Sequence, residues 1–180
     1  MDNRTEIRIA GFGGQGVVLA GALLGSAAAI YDQKNVIQTQ SYGAEARGGA
    51  ARSEIIISDT PIIYPVALEP DIFVAMSQIA LDKYAGDLKG EGTLIVDEKL
   101  VTTLPQRDDI DIYKGNFSDT ASKKLGRSIV ANAIMLGFLT SLTNIVSVKA
   151  MVEAIRTSTP KGTGELNLTA FKLGQEMAKL

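Results

Sequence analysis

The sequence predicts an α/β fold: a three-layer, Rossmann-like domain with a mixed, mostly parallel sheet, spanning residues 1–180 as one unit. Three observations carry this reading. Short β-branched runs alternate with helical stretches, the pattern of a sheet flanked by helices. An early strand runs into a glycine cluster that opens a helix. Helical stretches then gather late in the chain, after most of the strand-like runs.

Glu6-Ile7-Arg8-Ile9-Ala10 alternates polar and apolar side chains before meeting glycines, so it reads as a strand entering a tight turn. Residues 17–30 form the next helix, apolar on nearly every face and therefore covered on most sides. Gly21 and Gly25 leave a flat stripe on it where a neighbouring backbone can come close. The Ser26-Ala27-Ala28-Ala29 end of this run mimics a signal-peptide cleavage site. A bilayer span takes about 20 apolar residues, more than this run offers. Asp2 and Glu6 also offset Arg4 and Arg8, so no basic leader precedes it, and a buried helix is expected.

Residues 36–40 and 51–58 are two strands in close succession, which suggests an antiparallel insertion. Prolines punctuate residues 61–65, marking an edge or a connector. Residues 71–76 are a buried strand, 78–84 a short helix and 93–97 another strand. A polar, acidic loop at 105–111 leads to a short strand at 110–113. Helices are expected at 118–126 and 131–142. Ser147 caps a helix at 148–157 that puts Val148, Met151, Val152 and Ile155 on one face. A loop at 159–164 and a helix at 165–180 complete the chain.

The chain has no histidine and no cysteine. That removes the imidazole acid or base, the thiolate nucleophile, the disulfide, and zinc or iron–sulfur sites built on those ligands. A net charge of −2 argues against a dedicated nucleic-acid binder. The lack of cysteine fits a reducing cytoplasm. No membrane segment is expected.

The sharpest local signal is Gly11-Phe12-Gly13-Gly14-Gln15-Gly16, a G-x-G-x-x-G pattern between a strand and a helix. There, free amides at a helix N-terminus favour phosphate. A dinucleotide site also needs an acid at the end of the second strand, and Gln38-Thr39-Gln40-Ser41 has none, which counts against NAD or FAD. The competing reading is a glycine turn that packs helix on sheet. A second cluster, Ser41-Tyr42-Gly43-Ala44-Glu45-Ala46-Arg47-Gly48-Gly49, puts one arginine among three glycines. Arg47 either forks onto a carboxylate or phosphate or pins its loop by pairing with an acid such as Glu45. Lys123, Lys124 and Arg127 read as a solvated face, and Asp108, Asp109 and Asp111 as an exposed turn lacking calcium-loop spacing.

Together the two clusters resemble the gamma subunit of the 2-oxoacid:ferredoxin (acceptor) oxidoreductases. The resemblance also takes in Arg52-Ser53-Glu54, Ile63-Tyr64-Pro65, Pro70-Asp71, Ala75-Met76-Ser77-Gln78, Asn132 before Leu136-Gly137, and Asn167 before Ala170-Phe171. It runs over essentially the whole chain. Ala44 departs from the pattern, standing where the family usually has proline.

The resemblance implies a subunit that is not catalytic alone, within an enzyme whose substrate is most readily 2-oxoglutarate. Pyruvate or a branched-chain 2-oxoacid is the alternative within the family, and a stand-alone nucleotide-binding module the alternative outside it. The implied complex uses thiamine diphosphate, Mg2+ and iron–sulfur clusters carried by alpha, beta and delta (ferredoxin-like) partners. Coenzyme A is its co-substrate and ferredoxin its electron acceptor. The resemblance puts this chain on the coenzyme A side, through Gly13, Gly14, Gly16 and Arg47. The aromatic and apolar groups of 61–65, with the loop 41–49, suggest self-pairing as a homodimer when partners are absent.

Overall fold

The structure, a computed structural model, describes residues 4–41 and 50–179. Strands β1 (Thr5–Phe12), β2 (Asn35–Ser41), β3 (Ala50–Ser58), β4 (Ile72–Ala75), β5 (Thr93–Asp97) and β6 (Asp111–Gly115) form a six-stranded sheet in the order β2-β3-β1-β4-β5-β6. The neighbours β1, β4, β5 and β6 run parallel. β3 is antiparallel to both β1 and β2, so the insertion expected from the close succession of these strands is a hairpin docked against β1.

The alternation of β1 splits the core between two faces. Ile7 and Ile9 join Ile55, Ile57, Val74 and Ile95 beneath α1 (Val17–Ser26), α3 (Phe117–Leu125), α4 (Ala131–Thr143), α5 (Val148–Ser158) and α6 (Gly164–Met177). Ala10 joins Phe73, Ala75, Leu94 and Val96 on the other face, covered by Ala80, Leu81 and Tyr84 of α2 (Gln78–Tyr84). These are the three expected layers. α4 lies at the centre of its layer, buried from Ala131 through Thr140. It crosses α6 with almost no space between the backbones. A Cβ on Gly137 would overlap the Phe171 carbonyl, and one on Gly174 the Ile134 carbonyl.

The stripe on α1 meets side chains of the hairpin. Gly21 lies against Ser53 of β3, and Gly25 faces Val36 of β2 at ordinary contact distance. The helix runs on through a wider turn at Ala27–Tyr31, which leaves Ile30 65% exposed. Ser77 and Ser147 cap α2 and α5 by accepting from the amides of Ala80 (3.3 Å) and Ala150 (3.1 Å). On α5, Met151 and Ile155 are buried as expected. Val148 departs from the expected apolar face: at the first helical position it is 44% exposed. The 110–113 strand is shifted to Asp111–Gly115.

Arg8 is buried on the α2 face. Its guanidinium holds Glu54 through Nε (2.9 Å), pairs with Asp87, and lies 5.2 Å from the centroid of the Tyr84 ring. Residues 59–71 form a connector without strand structure. Arg4 fastens it by donating to the carbonyls of Tyr64 (2.9 Å) and Val66 (3.1 Å). Ile63, Tyr64, Val66 and Leu68 remain exposed, so Tyr64 contributes little to packing. The two sheet edges differ. β6 carries Asp111 and Lys114, whereas β2, Asn-Val-Ile-Gln-Thr-Gln-Ser, carries no charge.

Candidate functional site

β1 ends between antiparallel β3 and parallel β4. The chain leaves β1 toward the hairpin side of the sheet, while β4, β5 and β6 lie on the other side. Open α/β sheets bind ligands at such a switch point, outside the carboxyl ends of the strands, and the glycine loop sits there. The Gln15 side chain closes the loop, accepting from the Phe12 amide (2.7 Å) and donating to the Met76 carbonyl (2.8 Å) just beyond β4.

The glycines divide by role. A Cβ on Gly11 would overlap Gln15 and press on Met76. Gly16 adopts φ 72° as the N-cap of α1, and a Cβ there would come 2.5 Å from Asn132 Nδ2. That same nitrogen donates to the Gly16 carbonyl (3.2 Å). The packing reading therefore holds at Gly11 and Gly16. Gly14 adopts φ 94°, and a Cβ there would meet nothing within 4 Å. Gly13 is exposed and outside the positive-φ region. Gly13 and Gly14 thus present bare backbone to solvent. Among the described residues no side chain caps α1, whose first backbone bond runs from the Ala20 amide to the Gly16 carbonyl (2.9 Å). Uncapped first-turn amides favour an anion.

Two hollows flank the loop and share Phe12, Gly13, Gly14 and Ile129. One, of about 440 Å³, is walled by Lys99, Leu100, Ser118, Ser122 and Ser128. The other, of about 290 Å³, is walled by Val17, Val18, Leu19 and Ala51. Asp97, fully buried at the end of β5, builds the first wall. It accepts from Ser118 N (2.8 Å), Ser118 Oγ (2.6 Å) and Lys99 N (3.1 Å), tying the start of α3 to the turn after β5. Lys99 Nζ reaches Asp119 (2.8 Å), which also holds Lys123 (2.7 Å). The Lys123 hydrogen bond first, then that of Lys99, keeps the Asp119 carboxyl below the usual carboxylate range.

Hollows of comparable size elsewhere, about 450 and 500 Å³, are lined by charges that pair with each other, such as Lys89 with Asp71 and Lys34 with Asp59. Among the described residues no cluster of three or more acidic, histidine or cysteine side chains could hold a metal ion.

Of the residues expected from sequence, Gly13, Gly14 and Gly16 come together in this loop. Arg47 lies outside the described residues, with the rest of 42–49. The ends of that segment are placed. Ser41 pairs with Arg52, and Ala50 pairs with Phe12 beside the glycine loop. Sequence reasoning missed Gln15 as the brace, the Asn132 contact, and the wall of Lys99, Ser122 and Ser128. The one available signal was Asp97 at a strand end, an acid placed to cap whatever followed.

Fold and site define an α/β domain that offers a glycine loop flanked by two grooves. The profile of the pyruvate ferredoxin/flavodoxin oxidoreductase family matches residues 6–177, and the chain belongs to that family. It is 56% identical over 178 residues, 98% of this chain and 95% of the relative, to the 2-oxoglutarate synthase subunit KorC of Methanocaldococcus jannaschii. Its structure superposes with TM-score 0.87 on the gamma subunit of a keto/oxoacid ferredoxin oxidoreductase from Geobacter sulfurreducens, at 45% identity over 97% of this chain and 98% of that one. It also superposes, with TM-score 0.86 and 24% identity, on a 2-oxoglutarate:ferredoxin oxidoreductase from Magnetococcus marinus solved with 2-oxoglutarate, coenzyme A and succinyl-CoA bound. That match covers 98% of this chain and 31% of the larger one, so the fold recurs there as one part of a longer polypeptide. This chain is an oxidoreductase subunit of the gamma type.

Proposed function

We propose that the chain is the gamma subunit of a 2-oxoglutarate:ferredoxin oxidoreductase, which converts 2-oxoglutarate and coenzyme A to succinyl-CoA and CO2 and passes two electrons to ferredoxin. The observation that carries this is the end-to-end identity of 56% to a 2-oxoglutarate synthase subunit. Thiamine diphosphate with Mg2+ supplies the decarboxylation chemistry and iron–sulfur clusters the electron path. Both belong to alpha, beta and delta partners, since this chain has no cysteine to ligate a cluster.

Its own work is to form the coenzyme A side of the site. Gly13 and Gly14 offer open backbone, Gly16 fixes the start of α1, and Arg47, outside the described residues, is assigned a phosphate or a partner's carboxylate. The bound coenzyme A in the Magnetococcus marinus enzyme, whose fold includes this one, supports the assignment. The exposed apolar connector at 61–65 is a surface for partners, and copies of the chain pair with each other when partners are absent. The absence of cysteine supports a cytoplasmic setting. Among the described residues no helix is long and apolar enough to cross a membrane.

Reconstitution tests the proposal. The chain assembled with its partners should reduce ferredoxin in a manner dependent on both 2-oxoglutarate and coenzyme A, and the chain alone should not. Turnover by the isolated chain would overturn the subunit reading. An assembled enzyme that consumes pyruvate or a branched-chain 2-oxoacid in place of 2-oxoglutarate would overturn the substrate.

A further inference from the structure

We infer that Arg52, on the α2 face of the β2–β3 hairpin, is a docking anchor that takes an aspartate or glutamate side chain of a companion subunit. This rests on the subunit reading above and names one contact that holds the assembly.

The strand register builds the site. Arg52 stands opposite Ala10 of β1 and Ser41 of β2, and Glu54 stands opposite Arg8 and Thr39. Paired residues of antiparallel strands project to one face, so these side chains share the α2 side of the sheet. Ala51 points to the other side, into the apolar groove. α2 covers the β1 part of this face with Tyr84, whereas Thr39 and Ser41 on the border strand are exposed.

The two arginines here are unequal. Arg8 is buried and satisfied: it holds Glu54 Oε1 through Nε (2.9 Å) and a terminal nitrogen (2.8 Å), and it pairs with Asp87. Arg52 is 34% exposed, and Glu54 Oε2 lies 3.7 Å from its Nε, beyond hydrogen-bond distance. The Thr39 hydroxyl donates to that same oxygen at 3.4 Å. Among the described residues the Arg52 guanidinium makes no hydrogen bond, so its donors are unspent. It is nonetheless held in place, 5.3 Å from the centroid of the Tyr84 ring. A planar carboxylate, which only accepts, matches that fork. β2 carries no charge that would repel an acidic partner. The site is an exposed step between α2 and the border strand, where a small free anion would keep water on its far side. A carboxylate carried on a protein surface brings the rim that excludes this water, the setting in which arginine becomes an interface hot spot.

The test measures the affinity of the full chain for the remaining subunits of its complex, at low and at physiological salt. Arg52→Met keeps an unbranched stem on the Tyr84 ring and removes the charge and the fork. It should weaken assembly about tenfold to a hundredfold, the range of one charge-assisted hydrogen bond, while the chain unfolds at nearly the wild-type temperature. Arg52→Lys keeps the charge without the fork and should recover part of the loss. Salt should weaken the wild-type assembly more than the Arg52→Met assembly. Lys149→Gln removes an exposed charge from α5, on the other side of the sheet, and should leave the affinity unchanged. Wild-type affinity in Arg52→Met overturns the inference, and so does an equal loss in Lys149→Gln. If Arg52→Met assembles normally but raises KM for 2-oxoglutarate, the carboxylate it reads is the substrate's, and docking is overturned. If the wild-type chain itself does not join the other subunits, the subunit reading falls and this contact with it.

Discussion

Gly13 and Gly16 differ in backbone conformation and in exposure. At Gly16 the backbone is left-handed and Asn132 stands 2.5 Å from the would-be Cβ. Gly16→Ala should therefore cost about 2 kcal/mol, roughly 1 for the positive φ and about 1 for the displaced Asn132 bond, read by denaturant unfolding. At Gly13 the φ is not positive and the residue is exposed, so Gly13→Ala should unfold at nearly the wild-type midpoint while raising KM for coenzyme A in the assembled enzyme. The motif was legible in the sequence, but its division of labour was not, because the atom that decides Gly16 comes from Asn132, far along the chain. From the sequence Arg8 reads as a polar position in an alternating strand and as a charge offset by nearby acids, with no sign of its burial. It is 3% exposed and balances Glu54, which is 9% exposed. Arg8→Met should cost about 3–5 kcal/mol by stranding that carboxylate, and adding Glu54→Met should recover much of the loss. A double variant no more stable than the single would show that Glu54 is satisfied without Arg8.

Helix α4 and helix α6 meet through Gly137 and Gly174, each occupying the space beside the other helix's carbonyl. Side chains normally hold packed helices 8–10 Å apart. Here the missing Cβ atoms remove that spacer. Gly174→Ala should force the helices apart and cost about 3 kcal/mol, at the upper end of ordinary overpacking. Gly25→Ala is the contrast. Its Cβ would sit 3.6 Å from Val36 Cγ1, in a helix, so the change should be neutral or stabilise by up to about 1 kcal/mol. Thermal unfolding of the two variants checks both signs. The sequence drew notice to Gly21 and Gly25 because they lie in one apolar helix. Gly137 and Gly174 belong to two helices whose contact is set by the tertiary fold, which spacing along the chain does not report. The same limit explains Val148: periodicity placed it on the buried face, but at the start of α5 it stays 44% exposed.

Across the whole molecule, strand identities and the antiparallel hairpin were readable, since alternation and turn residues are local. The order β2-β3-β1-β4-β5-β6 was not, because it depends on which edges meet after collapse. That order places β2 and β6 at the two borders, and the borders are unlike. Edge strands expose unpaired amides and carbonyls that recruit further strands unless charge or proline discourages them. β6 has Asp111 and Lys114 for this purpose, while β2 has only Asn35, Gln38, Thr39, Gln40 and Ser41 among its polar groups. A sheet with two bare borders can add copies without end. One with a single bare border can only close on itself, β2 against β2, around a two-fold axis. A surplus of this subunit over its partners should then accumulate as discrete pairs and not as fibres. Thr39→Lys should return such pairs to single chains in light scattering. Pairs held by the 61–65 connector would ignore that lysine.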